Sequence, residues 1–158
     1  MLPGKRLRQA LAEEGLLTAP GVHDMISAKI ADGLGFKALY MTGFGVSAAH
    51  LGRPDAGLIG YADMVSRVSQ ICRGTRTPVI CDADTGFGGL LNIEHTVRGY
   101  EAAGAAAIQL EDQVFPKKCG HTPGRRVVPV EQMVRKIEVA VASRSSPDFQ
   151  IIARTDAR

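Results

Sequence analysis

The stretch "PKKCGHTPGRR", residues 116 to 126, gathers a thiol, an imidazole, two lysines and two arginines between glycines and prolines. It has no apolar face to bury, so it reads as a loop and not as a packed element. Within it, Lys117, Lys118 and His121 flank Cys119. Cations around a thiol stabilise its thiolate, so the spacing predicts a lowered pKa and a reactive sulfur. A basic loop of this kind attracts di- or tricarboxylates and stabilises negative charge as it develops.

Acids supply the complement. In "CDADTGFGG" (81–89), Asp82 and Asp84 stand two apart at the end of an apolar run, so on a strand they share one side. Two adjacent carboxylates repel, and a divalent cation or a shared proton relieves them. Glu111 ends the next apolar run and can face the same space. Three carboxylates without neighbouring nitrogen or sulfur ligands suit Mg²⁺ or Mn²⁺, hard ions that keep several waters. The plainer alternative for these acids is helix capping and loop solvation. The glycines after Asp84 do not complete GxGxxG, and two acids before them would repel a pyrophosphate. They read as a sharp turn over the metal.

A third stretch, "YMTGFGVSAAHLGRPDAG" (40–57), reads as a strand end followed by a glycine-rich loop. Thr42 and the amides near Gly43 can hold a carboxylate. Asp55 is a turn former or a group delivered when that loop closes. His23, His50 and His95 read as structural, and Cys72 and Cys81 as buried small hydrophobes.

These groups need a frame. Five apolar runs, 16–20, 38–43, 79–84, 107–112 and 151–156, alternate with helical patterns. Near-continuous apolar runs suit strands covered on both faces. Asp24 is placed to cap a helix over "MISAKIADG", Gly74 to end "YADMVSRVSQICRG", Asn92 to cap "IEHTVRGYEAAG" and Pro129 to open "VEQMVRKIEVAVAS". Residues 5–14 form an extra helix before them. Strand–helix alternation implies a parallel sheet with right-handed crossovers. Polar residues end three successive runs (Asp82 with Asp84, Glu111 with Asp112, Arg154 with Asp156), the (β/α)8 barrel arrangement. An open doubly wound sheet would concentrate them at one switch point. Five strands cannot close eight, so residues 1–158 read as the N-terminal part of one barrel domain within a longer protein, with two strand edges exposed.

Composition narrows the class. The chain has 158 residues, 45% hydrophobic, with 18 glycines, 5% aromatics and a net charge of +3. The basic residues form no stripe interleaved with aromatics, which argues against nucleic-acid binding. No apolar run approaches the roughly 20 residues of a membrane span, and the N-terminus lacks the apolar middle of a signal peptide. Three cysteines without CxxC spacing suit free thiols in a reducing cytoplasm.

In order and spacing, "YMTGFG", "GRPDAG", "CDADTGFGG", "IQLEDQVFPKKCGH" and "IIARTDAR" resemble the isocitrate lyase/phosphoenolpyruvate mutase superfamily over nearly the whole chain. "KKCGH" resembles the signature of its carbon–carbon lyases, of the 2-methylisocitrate and dimethylmalate lyase kind. The resemblance implies a (β/α)8 barrel, a homotetramer with a swapped helix, and a Mg²⁺ site. Asp84 would bind the ion directly, with Asp82 and Glu111 assisting by coordination or through water. Thr42, Gly43 and the amide of Phe44 would hold a keto-acid carboxylate; the lyases often have glycine where Phe44 stands, which bears on substrate size. Lys117, Gly120, His121 and Arg154 would hold the other carboxylates. Cys119 would protonate the departing carbanion, and Tyr40 is a candidate for the hydroxyl proton. The implied reaction cleaves a 2-hydroxy di- or tricarboxylate to pyruvate or a related 2-keto acid plus a carboxylate such as succinate. Oxaloacetate decarboxylation and phosphonomutase activity are the enzymatic alternatives, and an inactive half-barrel the non-enzymatic one.

Overall fold

Short apolar segments that end in acids form the frame. The computed structural model describes residues 2–13 and 15–157. Its strands are β1 (Gly21–Val22), β2 (Leu39–Met41), β3 (Val79–Asp82), β4 (Ala107–Glu111) and β5 (Gln150–Arg154). They form one sheet in the order β1-β2-β3-β4-β5, with every neighbouring pair parallel. Sequential order without reversal is the winding of a barrel wall, and it removes the open doubly wound alternative.

The helices are α1 (Pro3–Glu13), α2 (Met25–Gly33), α3 (Gly43–Leu51), α4 (Tyr61–Gly74), α5 (Leu90–Ala102) and α6 (Val130–Ala142). Asp24 caps α2 as expected, its carboxylate accepting from the Ser27 amide at 2.8 Å. In α4 the core-facing residues Met64, Val68 and Ile71 recur at helical spacing and are fully buried. Each such burial contributes about 1.5–3 kcal/mol. The main core lies between helices and sheet and includes Leu39, Met41, Cys81, Ile108 and Leu110. Cys81 is buried and Cys72 packs against that core, both as free thiols. Burial pushes the Cys81 thiol up.

Three sequence expectations are corrected. The first strand is Gly21–Val22 and not 16–20: Leu16 is exposed, and the ladder to β2 runs through the carbonyls of Pro20 and Val22. Residues 43–51 are helical and not a loop, because Thr42 supplies an N-cap and Gly52, at φ +62°, a left-handed stop. Helix α5 starts at Leu90, two residues before Asn92. Its N-cap is Gly89, whose amide Asn92 accepts at 3.0 Å from the third helical position.

Among the described residues, the outermost strands, β1 and β5, each pair on one side. Apolar side chains are exposed on the adjoining helices, Ile26 and Ile30 on α2 and Val134 and Val141 on α6. Among the described residues no helix is long and apolar enough to cross a membrane.

Candidate active site

The register carries side chains from four elements to one end of the sheet. β3 ends at Asp82, beside the N-terminus of α3. Asp82 Oδ2 accepts from the Gly43 amide, and its Oδ1 from the Asp84 amide, each at 3.1 Å. A Cβ on residue 43 would lie 2.8 Å from Asp82 Oδ2, so glycine is what lets helix and carboxylate meet. Thr42 Oγ1 accepts from the Gly45 amide at 3.4 Å.

Asp84 sits just past the strand at φ +47°, a left-handed conformation unfavourable for a residue with a Cβ. Its carbonyl accepts from the Glu111 amide of β4 at 2.9 Å. Its Oδ1 is buried, receives no directed hydrogen bond, and lies 2.7 Å from Lys117 Nζ. The same ammonium contacts Asp55 Oδ1, and all three residues are buried. Asp55 is therefore delivered to the site by its loop. That loop also meets the basic one directly: Gly57, at φ +71°, abuts Phe115 and the Lys117 amide.

Glu111 Oε1 accepts from Gln113 Nε2 at 3.0 Å, and its Oε2 lies 3.3 Å from Arg154 of β5. Arg154 also bonds Asp156 at 3.0 Å. A Cβ on residue 120 would overlap Arg154 Nη2, so Gly120 allows the basic loop to settle on the guanidinium. With Lys117 reaching Asp84 and Gly120 seated on Arg154, the loop carrying Cys119 lies over the carboxylates. Cys119 itself is half-buried.

Crowded acids in a dry site resist ionisation. Burial, then the neighbouring Asp82 charge, pushes Asp84 up to about 6 despite Lys117. Burial pushes Glu111 up to about 7, against the pull of Lys117 and Arg154. Asp82 is raised too, mainly by burial. Burial opposes the Lys117 charge, but Asp84 and Asp55 hold the ammonium well above its usual range.

Several expectations are revised by this geometry. Lys117 reaches the acids, and Lys118 Nζ donates to the carbonyls of Pro123 and Gly124, at 3.5 and 3.2 Å. The expected collar of cations around the Cys119 sulfur is thus directed elsewhere. His121 is exposed and lines a separate cleft with Arg125 and Asp156. Phe44 is exposed at the start of α3. Tyr40 accepts from Gln109 Nε2 at 2.8 Å, and burial plus the Asp82 charge hold its phenol firmly protonated. His50 finds a partner at 3.5 Å in exposed Asp63, and His95 packs against Tyr61 with ring centroids 4.4 Å apart and the planes tilted by 49°.

Gln113 is the residue sequence reasoning missed. Fully buried, its two N–H groups are shared among three acceptors, Glu111, the Lys118 carbonyl and Asp156, and its carbonyl accepts from the Lys118 amide at 3.0 Å. It latches the basic loop to two strand ends. The signal was its spacing of two from Glu111, which places both on one side.

Among the described residues, no three His, Cys, Asp or Glu side chains approach closely enough to cage a metal ion. The donor set nonetheless fits a hard cation held by one carboxylate and several waters. Its carboxylates are buried and in excess, and the contact Asp84 Oδ1 makes outside its own residue is shared: the one Lys117 ammonium that also meets Asp55.

A parallel wall in barrel order, with acids at its strand ends under a cysteine loop, is the arrangement of (β/α)8 barrels that gather their functional residues at the C-terminal ends of the strands. Residues 7–158 match the family described as phosphoenolpyruvate phosphomutase, and the chain belongs to it, within the phosphoenolpyruvate mutase/isocitrate lyase superfamily. It is 55% identical over 153 residues to the 2,3-dimethylmalate lyase of Eubacterium barkeri, covering 97% of this chain and 53% of that one. It is 49% identical over 156 residues to the 2-methylisocitrate lyase of Aeropyrum pernix, covering 99% and 50%. Among solved structures it resembles oxaloacetate acetylhydrolase in complex with the inhibitor 3,3-difluorooxalacetate, with TM-score 0.93, 41% identity, and coverage of 98% of this chain and 54% of that one. It also resembles phosphonopyruvate hydrolase complexed with oxalate and Mg²⁺, with TM-score 0.89, 37% identity, and coverage of 99% and 53%. The chain spans about half the length of the relatives it matches.

Proposed function

We propose that this chain is the N-terminal part of a single (β/α)8 catalytic domain that cleaves a carbon–carbon bond in a 2-hydroxy di- or tricarboxylate. The products are a 2-keto acid, such as pyruvate, and a second carboxylate, such as succinate. One observation carries the reading. Among the described residues, four buried acids, Asp55, Asp82, Asp84 and Glu111, face two cations, Lys117 and Arg154, beneath a loop that bears a thiol. Such an excess of buried negative charge calls for protons or a divalent cation. Asp84 would hold Mg²⁺ (Mn²⁺ is the substitute), with Asp82 and Glu111 acting through bound water. When bound, the ion supplies positive charge to the oxygen that becomes the keto carbonyl.

The protein's own groups do the rest. Amides at the start of α3, that of Phe44 and that of Gly43 once it exchanges Asp82 for the substrate, with Thr42 beside them, bind the carboxylate next to that carbonyl. Arg154 and the backbone at Gly120 receive a distal carboxylate, and His121 joins them only if the loop rearranges. As the substrate hydroxyl passes its proton to a carboxylate of the acid cluster, of which Asp84 and Glu111 are raised to about 6 and about 7, the carbon–oxygen double bond forms and the carbon–carbon bond breaks. The bond's electron pair passes to the carbon beside the second carboxylate, and Cys119 protonates it as general acid. Tyr40, held as a neutral phenol, hydrogen-bonds the substrate hydroxyl and does not act as a base. The closed barrel works as a homotetramer in the cytoplasm. The test is keto-acid release from 2-methylisocitrate, 2,3-dimethylmalate and oxaloacetate, with and without Mg²⁺, read through a coupled lactate dehydrogenase assay. Mg²⁺-dependent release from a hydroxy acid supports the reading; release from oxaloacetate alone, or from none, overturns it.

A further inference from the structure

Lys136 on α6 is 7% exposed and, among the described residues, forms no ion pair. Its ammonium donates to one acceptor, the carbonyl of Thr85, at 3.0 Å. Burial holds it below the usual lysine range. A buried ammonium without an acid partner opposes folding, so its place needs a reason beyond packing.

The reason lies in the segment it touches. Residues Asp84, Gly86, Phe87 and Gly88 have φ values of 47°, 87°, 60° and 146°. Two of these four carry a Cβ, so the turn does not hold itself. Three successive carbonyls are pinned from three different elements. The Glu111 amide of β4 holds Asp84 O at 2.9 Å, Lys136 of α6 holds Thr85 O, and Thr96 of α5 holds Gly86 O at 3.3 Å. The Thr85 carbonyl belongs to the peptide that joins Thr85 to Gly86, inside the left-handed turn that begins at Asp84. Without its donor that peptide is free to turn, and the turn that keeps Asp84 at φ +47° loses one of its three supports.

We infer that Lys136 is a positioning residue: by holding the Thr85 carbonyl it sets the direction in which Asp84 faces the site. It touches no reacting atom. The inference rests on the reading of Asp84 as the metal-binding acid, and the experiment separates the two. Lys136→Met keeps the length and loses the donor. Ala140→Gly, one turn further along α6 at a fully buried position, loosens the helix without touching Thr85. Each variant is compared with the unmodified chain by Mg²⁺ calorimetry, thermal melting, and hydrogen exchange at the Asp84 and Gly86 amides, which bond Asp82 Oδ1 and Ala83 O. Lys136→Met is expected to weaken Mg²⁺ binding about 10-fold or more and to speed exchange at both amides. Ala140→Gly is expected to lower the melting temperature and leave both properties alone. Unchanged exchange in Lys136→Met, or equal changes in Ala140→Gly, would overturn the inference. An unmodified chain that binds no Mg²⁺ would instead overturn the metal reading of Asp84, and the exchange rates would still decide the role of Lys136.

Discussion

Replacing Lys117 with methionine keeps the volume of a buried side chain and removes the ammonium that lies between Asp55 and Asp84. Breaking a buried ion pair by deleting one partner typically costs about 3–5 kcal/mol. A ceiling applies, because a stranded carboxyl can take up a proton. Neutralising one Asp costs roughly 1.4 kcal/mol for each pH unit above its ordinary 3.8. At pH 7 that is about 4 kcal/mol, and at pH 5 about 2 kcal/mol. Asp84, already raised to about 6 beside Lys117, adds less than a full share, so one proton is the right scale. The sign follows from the direction of the shift. A carboxyl whose folded pKa is raised destabilises the fold above its unfolded pKa, increasingly until the folded value is passed. Lys117→Met should therefore lose about two to three times as much stability at pH 7 as at pH 5, read by urea unfolding at both values. An equal loss at the two pH values would refute the placement of Lys117 as counter-ion to these acids.

Three shorter predictions accompany it. Gly43→Ala places a methyl 2.8 Å from Asp82 Oδ2 and should lower kcat/KM by on the order of 10-fold or more, with an intact far-ultraviolet spectrum. Cys119→Ser should reduce turnover by roughly 10²–10⁴-fold and spare keto-acid binding, since in the proposed reaction the thiol acts only on the departing carbon. Turnover near the unmodified rate would remove Cys119 from the mechanism. Mg²⁺ binding between pH 6 and 7 should release on the order of one proton, because Asp84 and Glu111 are raised to about 6 and about 7 without metal. Calorimetry in buffers of differing ionisation enthalpy measures this.

What was legible in the sequence followed from local period and from strand ends. Asp82, Glu111 and Arg154 could be placed together because each closes an apolar run, and parallel strands bring their C-terminal ends to one side. The α2 cap and the extent of α4 were readable for a similar reason, since their caps and stops are local. The α3 helix was hidden because Gly43 and Gly45 weaken helix propensity; both are demanded by tertiary contacts, with Asp82 and with His23. The destination of Lys117 was equally hidden. Sequence neighbours suggested that it serves Cys119, whereas a lysine's long stem let Asp55 and Asp84, distant in sequence, capture it. Gln113 shows the same limit from another side. Its side-chain contacts reach β4, the loop and Asp156, two residues past β5, and no periodicity encodes such a latch.

The site opposes folding, and the scaffold must outweigh it. Raising Asp84 from 3.8 to about 6 and Glu111 from 4.5 to about 7 each costs roughly 3 kcal/mol near neutral pH. These costs are absent below pH 4 and grow as pH rises toward the folded values, so at these groups the metal-free chain is favoured by mild acid. The left-handed Asp84 and Phe87 add roughly 1–2 kcal/mol apiece. Such a cluster persists only if its supports cannot relax, and those supports are rigid. Asp82 pairs across β3 and β4, Tyr100 bonds the Asp82 carbonyl at 3.3 Å from a fully buried position, and Ile93 packs beneath Gly86. A flexible base would let the acids separate and take up water. Held together, they keep a standing affinity for positive charge, which Lys117 meets in part and a divalent ion would meet more fully.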